Sequence, residues 1–274
     1  MILAEHLITA IDDLHLADRP VMLHTSLRSF GMAIAGGADT LLDALLKRGC
    51  TVMAPTFTEP QFSLPAPAGM RPARNGLDYA ALPSGTALPE GPAYSVDCGL
   101  INPHLGVLPA VLIGRVGTVR GRHPLNSFAA VGPQAAELID AQSPNDVYGP
   151  IRELADRDGA ILLVGVSLNR MTALHLAEQR SGRRLFRRWA RDEDGEIRMV
   201  EVGSCSEGFP QMEPVLTPLA RTAIVGASPW RAYPAQQVLI AATAAITARQ
   251  DITQCPENEY VLCHDAVARG PAIP

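Results

Sequence analysis

Residues 160–178 constrain this chain most. They read Ala-Ile-Leu-Leu-Val-Gly-Val-Ser-Leu-Asn-Arg-Met-Thr-Ala-Leu-His-Leu-Ala-Glu. The apolar run 161–164 ends at Gly165, which predicts a short strand buried on both faces. Residues 167–170 are polar and predict a loop, and 173–178 are good helix formers. A strand, a tight loop and a helix start are where an α/β protein usually places its chemistry. Thr172, His175 and Glu178 are three apart and share one helix face. A hydroxyl, an imidazole and a carboxylate in a row can form a base with its orienting partner. The same spacing also suits a plainer arrangement, with Thr172 capping the helix and His175 and Glu178 as a surface pair.

The flanking pattern sets the fold class. Residues 3–17 have helical spacing, stopped by Pro20. A strand at 21–23 follows, then a helix after Gly36-Gly37 that ends at Gly49, then a strand at 51–58. Helix, strand, helix, strand predicts a parallel pair joined by a crossover. Further helices are expected at 108–113, 133–139, 151–155 and, more apolar than a surface helix, at 234–248. Asp194-Gly195 is a turn signal for a hairpin of strands 185–190 and 197–202. The expected architecture is α/β: one compact domain over 1–274, with a central mixed or parallel sheet flanked by helices, an insertion and a small hairpin. The insertion is 59–98, where Pro60, Pro65, Pro67, Pro72, Pro83, Pro89 and Pro92 break any long element. It is read as an irregular loop on the substrate side. Residues 251–274 read as a short polar tail.

Charge and cysteine usage exclude several classes. A net charge of -5 argues against a nucleic-acid binder and suits a site that receives a cation. No apolar run reaches the roughly 18 residues of a membrane helix. Glu5, Asp12, Asp13 and Asp18 near the start are unlike a secretory leader, and a cytoplasmic location is expected. The five cysteines show no C-x-x-C and read as reduced thiols. Cys255, Cys263 and His264 lack a second paired ligand, so no metal is expected.

Two further stretches can hold a ligand. His24, Thr25, Ser26, Leu27, Arg28, Ser29 and Phe30 follow a strand, and their hydroxyls and Arg suit a phosphate or a pantetheine amide. An ordinary polar turn fits them equally. Arg120, Arg122, His123 and Ser127 lie within eight residues and suit a phosphorylated ligand, or are a structural His before Pro with solvated arginines. The arginines at 180, 183, 184, 187, 188 and 191 read as a solvated face, with CoA phosphates as the lesser alternative.

Four stretches in order carry a resemblance. They are Leu23-His24-Thr25-Ser26-Leu27-Arg28-Ser29-Phe30-Gly31, Thr51-Val52-Met53-Ala54-Pro55-Thr56-Phe57-Thr58, His123-Pro124-Leu125-Asn126-Ser127-Phe128, and Leu163-Val164-Gly165-Val166 followed by Thr172-Ala173-Leu174-His175-Leu176-Ala177-Glu178. With Cys205-Ser206-Glu207-Gly208-Phe209 as a weaker fifth, the chain from about 20 to about 265 resembles the aminoglycoside 3-N-acetyltransferase family, not the small GNAT fold. The resemblance implies acetyl transfer from acetyl-CoA to the 3-amino group of an aminoglycoside antibiotic. It implies Thr172, His175 and Glu178 at the acceptor and the 24–30 and 122–127 stretches, with Arg122, His123 and Ser127, at CoA. Asn169 and Glu207 are the expected substrate contacts. The implied partners are CoA and a small-molecule amine, with a homodimer left open. Where many members carry Asp three residues before the Thr, this chain has Asn169 and then Arg170, which weakens attraction for a polycation. Acylation of another amine, or CoA binding without turnover, therefore stay open.

Overall fold

The computed structural model describes residues 1–67, 69–81, 91–255 and 261–273. The elements run in chain order as α1 (Ala4–Asp13), β1 (Pro20–Thr25), α2 (Gly37–Lys47), β2 (Thr51–Pro55), α3 (Val107–Ile113), β3 (Val119–Arg120), β4 (Phe128–Val131), α4 (Ala135–Asp140), α5 (Gly149–Asp156) and β5 (Ala160–Val164). They continue as α6 (Ala173–Arg180), β6 (Phe186–Arg191), β7 (Ile197–Val202), α7 (Glu213–Leu216), β8 (Arg221–Val225), β9 (Ser228–Pro234), α8 (Ala235–Ala248) and α9 (Val261–Val267). Seven strands form one sheet in the order β3-β4-β2-β1-β5-β9-β8, and β6 with β7 makes a separate hairpin. The middle pairs, β1 with β2 and β1 with β5, are parallel. The outer pairs are antiparallel, so the sheet is mixed.

Alternation along the central strands sorts the core into two layers. Met22, Ile161 and Leu163 point into a layer filled by α4, α5, α6 and α8. Val21, Leu23, Leu162 and Val164 point into the opposite layer, filled by α1, α2 and α3. The 161–164 run is thus buried on both faces, and the crossover from β1 to β2 is the expected parallel pair. The apolar helix expected at 234–248 is α8, and it lies across the sheet as its composition requires.

Some expectations change. α1 ends before Pro20: Leu14 closes it and His15 turns to φ 58°, leaving Pro20 as the first residue of β1. The polar tail is no tail. It contains α9, and Cys255 and Cys263 are buried. β3, β4, β8 and β9 were not expected; each is short or held by Pro and Gly at its ends. In the Pro-rich insertion, Phe62 and Tyr94 pack on Phe186 and Val200 of the hairpin, while Leu64 and Ala66 pack on Trp189. Its Pro83 and Pro89 lie outside the described residues. Arg120 ties insertion to sheet by donating to the carbonyls of Cys98, Leu100 and Thr56 and lying over the Tyr94 ring.

The exit of β5 is a close-packed turn. Gly165 has φ +62°, and a Cβ there would stand 1.9 Å from Ser29 Oγ. Ser29 cannot yield, because Oγ is 2.6 Å from both the Ser26 carbonyl and Ser228 Oγ. Gly165→Ala is expected to lower stability by about 2–3 kcal/mol. Urea unfolding monitored by circular dichroism measures it, and an unchanged midpoint would contradict the account.

Candidate active site

The short helical turn Leu168–Arg170 leads from β5 into α6. On α6 every residue from Ala173 to Glu178 is buried. This settles the arrangement left open by spacing: His175 and Glu178 form a buried pair, not a surface one. His175 Nδ1 lies 3.0 Å from Glu178 Oε2. Thr172 precedes the helix, yet its side chain makes no cap, and its own φ and ψ are already helical.

Glu178 is held from four sides. Ser204 Oγ donates to Oε2 at 3.0 Å, Thr253 Oγ1 donates to Oε1 at 2.7 Å, and Arg183 Nη1 pairs with Oε1. Burial pushes this carboxyl upward most strongly. The hydrogen bond and charge of His175, the Arg183 guanidinium and Thr253 together outweigh it, and Glu178 is held below the usual carboxylate range. An ionised carboxylate on Nδ1 fixes the ring orientation and the Nδ1–H tautomer. No protein group among the described residues bonds Nε2.

The ring of His175 is clamped on its faces. Tyr148 stacks on it at 6.0 Å and 11°, and Phe209 approaches at 4.7 Å. Gly203 closes the edge: a Cβ there would stand 2.4 Å from Tyr148 Oη and 2.9 Å from His175 Cδ2. Tyr148 also sits among carboxylates. Burial raises its phenol well above the usual value, and Glu178, Glu59 and Glu201 raise it further. Glu59 is raised by burial against the opposing charge of Arg188, and Glu201 by burial against Arg187. Glu201 Oε1 lies 2.7 Å from Arg187 Nη1, while Oε2 has no partner among the described residues. Tyr148, Ser204, Thr253, Glu59 and Glu201 escaped the sequence reading, while Phe209 entered it only at the end of the weaker fifth stretch and Arg183 only within the basic run. Only the Gly beside Ser204 and the Glu next to Pro60 gave a local signal.

A cavity of about 740 Å³ opens at the ends of β1 and β5. Its walls include His24, Thr25, Ser26, Leu27 and Arg28 on one side and Gly165, Asn169 and Arg170 on the other. Two of its buried polar atoms, His24 Nε2 and Thr25 Oγ1, have no partner among the described residues. Such atoms fit the amides of a pantetheine arm, and Arg28 and Arg170 fit phosphates. His175 does not line this cavity. It stands on the helix that begins at the wall formed by Asn169 and Arg170.

Several expected ligand residues have partners within the protein. Ser29 is taken by Ser228, and Phe30 is fully buried edge-on to Trp230. His123 uses both nitrogens: Nε2 donates to the Glu201 carbonyl at 2.7 Å and Nδ1 accepts from the Asn126 amide at 2.9 Å. Ser127 is buried against the Thr56 carbonyl at 2.9 Å. Arg122 is exposed, pairs with Glu193, and lines a second cavity of about 800 Å³ that does not include residues 24–28. The basic run is divided: Arg183 is buried on Glu178, and Arg180 and Arg184 are exposed. Asn169 accepts a hydrogen bond from Ser167 Oγ at 2.6 Å, and Glu207 is exposed on the turn before Phe209. Cys205, Cys255 and Cys263, which show no ligand spacing in sequence, converge in the fold.

Among the described residues no helix is long and apolar enough to cross a membrane. A family model described as aminoglycoside 3-N-acetyltransferase matches residues 22–247. Aminoglycoside N(3)-acetyltransferase VIII of Streptomyces fradiae is 30% identical over 247 residues, covering 80% of this chain and 82% of that protein. Aminoglycoside N(3)-acetyltransferase IX of Micromonospora chalcea is 34% identical over 172 residues, covering 61% of this chain and 58% of that protein. The match thus spans little more than half of the Micromonospora relative. Among solved structures, the apoenzyme of aminoglycoside acetyltransferase AAC(3)-IVa aligns with a TM-score of 0.76 at 22% identity, covering 98% of this chain and 97% of its own. AAC-IIIb in a binary complex with CoASH aligns at 0.72 and 20% identity, covering 90% and 97%. Both share the fold.

Two buried imidazoles predict an acid-sensitive fold. Burial, then the charge of Arg170, lowers His24 to about 3, and burial lowers His123 to about 4. The unfolded chain takes up these protons near pH 6.5. Their stabilising contribution is therefore complete above that pH and is lost as pH falls toward the folded values. Each is expected to remove about 2 kcal/mol between about pH 7.5 and about pH 5. Urea midpoints across that range, with His123→Gln flattening the profile, provide the check.

Proposed function

The chain belongs to the aminoglycoside 3-N-acetyltransferase family, and from that premise we propose that it acetylates the 3-amino group of an aminoglycoside, with acetyl-CoA as donor and His175 as base. The observation that carries this reading is the buried pair itself. Nδ1 is committed to an ionised carboxylate, and Nε2 has no protein partner among the described residues. The thioester supplies an activated acetyl carbonyl. His175 Nε2 accepts the proton that the amine gives up as its nitrogen bonds the acetyl carbon. Glu178 stabilises the imidazolium, and the ring returns the proton to sulfur as the C–S bond breaks. Support for the donor side is the cavity at residues 24–28, with its unpartnered His24 and Thr25 atoms.

A second reading keeps the chemistry and changes the amine. It is favoured by Arg170, an exposed cation beside Asn169 on the cavity wall. Thiol release from acetyl-CoA with a panel of amines separates the two. Release with aminoglycosides alone favours the first, release only with other amines the second, and none with either removes both.

His175→Ala is expected to lower kcat by about 10²-fold or more while CoA still binds. Steady-state kinetics equal to the parent would remove the base assignment. Ser26→Ala is expected to weaken CoA binding in calorimetric titration and leave acceptor binding unchanged; an unaltered CoA isotherm would take this wall out of the donor site.

A further inference from the structure

Three of the five thiols meet at one place. Cys205 follows the hairpin, Cys255 closes the segment after α8, and Cys263 is on α9. Their Sγ atoms all lie within 4.8 Å of one another, and those of Cys255 and Cys263 are 2.8 Å apart. Cys255 and Cys263 are buried, while Cys205 is half-buried. The backbone amide of Glu207 donates to Cys205 Sγ at 3.4 Å. We propose that Cys205, Cys255 and Cys263 form a three-thiolate site for a thiophilic divalent ion of the zinc class.

Three converging sulfurs suit an ion, which takes all of them. A disulfide needs two sulfurs and leaves the third without a task. Zinc takes thiolates at about 2.3 Å in a tetrahedron, which sets sulfurs about 3.8 Å apart. Binding spreads the closest pair by about 1 Å and keeps all three sulfurs inside the 4.8 Å they already span. Three thiolates leave a fourth position for water. The Glu207 amide is the kind of outer hydrogen bond that steadies an anionic sulfur. Burial raises the thiols of Cys205 and Cys263, so without a cation they keep their protons and release them to solvent on binding.

The site has a structural consequence. Ser204 adjoins Cys205, and Thr253 stands two residues before Cys255. These are the two hydroxyls that hold Glu178. An ion on the three sulfurs pins both segments and therefore the carboxylate between them. This holds whether or not His175 is the base.

The test is a titration of the full chain, stripped with chelator and kept reduced, with Co²⁺ as the spectroscopic probe. One equivalent should produce thiolate-to-cobalt charge-transfer absorption, and Zn²⁺ should displace it. Cys205→Ser, on a half-exposed turn, and Cys263→Ser should each lose the absorption, while Cys98→Ser keeps it. Circular dichroism establishes that each variant is folded; if Cys263→Ser is not, the parent and Cys205→Ser decide. Zn²⁺ should also raise the melting temperature of the parent and not of Cys205→Ser. No charge-transfer band in the parent, the same band in folded Cys205→Ser, or a Cys255–Cys263 disulfide in protein purified under reductant would overturn the proposal.

Discussion

The carboxylate of Glu178 is the constraint on which the rest of the site depends. Both side chains of the Glu178–Arg183 pair are only 4% exposed. Burying such a pair costs desolvation that mutual attraction does not always recover, so its value lies in position more than in net stability. Here the position is fixed by four donors from separate parts of the chain: His175 on α6 itself, Arg183 just beyond it, Ser204 after the hairpin and Thr253 after α8. The geometry of the imidazole is therefore a property of the whole domain. Moving the hairpin or the segment after α8 moves the ring.

The two halves of the candidate site have different origins. The cavity at β1 and β5 comes from the parallel centre of the sheet, where neighbouring strands end together and leave a crevice. The dyad lies outside the sheet, in the seam between α6, the hairpin exit and Phe209. One turn of chain, Leu168–Arg170, joins them. The strained exit at Gly165 starts that turn, so the backbone that shapes the cavity wall also aims the helix carrying His175.

What could be read from sequence follows from this division. Residues 160–178 were legible because burial on both faces and helix propensity are local properties. The parallel β1–β2 pair was legible for the same reason. The structural partners of His123, Ser29 and Phe30 were not legible, because an imidazole or a hydroxyl that holds backbone has the same letter as one that holds a ligand. His123 satisfies Glu201 and Asn126, neither of which its neighbours announce. The antiparallel flank β9–β8 gave little signal, since β9 starts and ends with Pro close by and β8 is largely exposed. Arg183 was hidden in a basic run whose other members reach solvent or the hairpin.

Cysteine spacing in sequence gave no sign of the convergence of Cys205, Cys255 and Cys263, for a physical reason. Ligand pairs on one short loop leave a C-x-x-C pattern, because the loop itself sets the sulfur separation. Here no loop does so. The sulfurs are brought together by packing of the hairpin exit, the end of the segment after α8, and α9, so the spacing in sequence carries no trace of the spacing in space. The same packing delivers Ser204 and Thr253 to Glu178. A thiol cluster and the Glu178 carboxylate, which share two supporting segments, are coupled by construction: whatever orders the sulfurs orders the hydroxyls one and two residues away, and through them the imidazole.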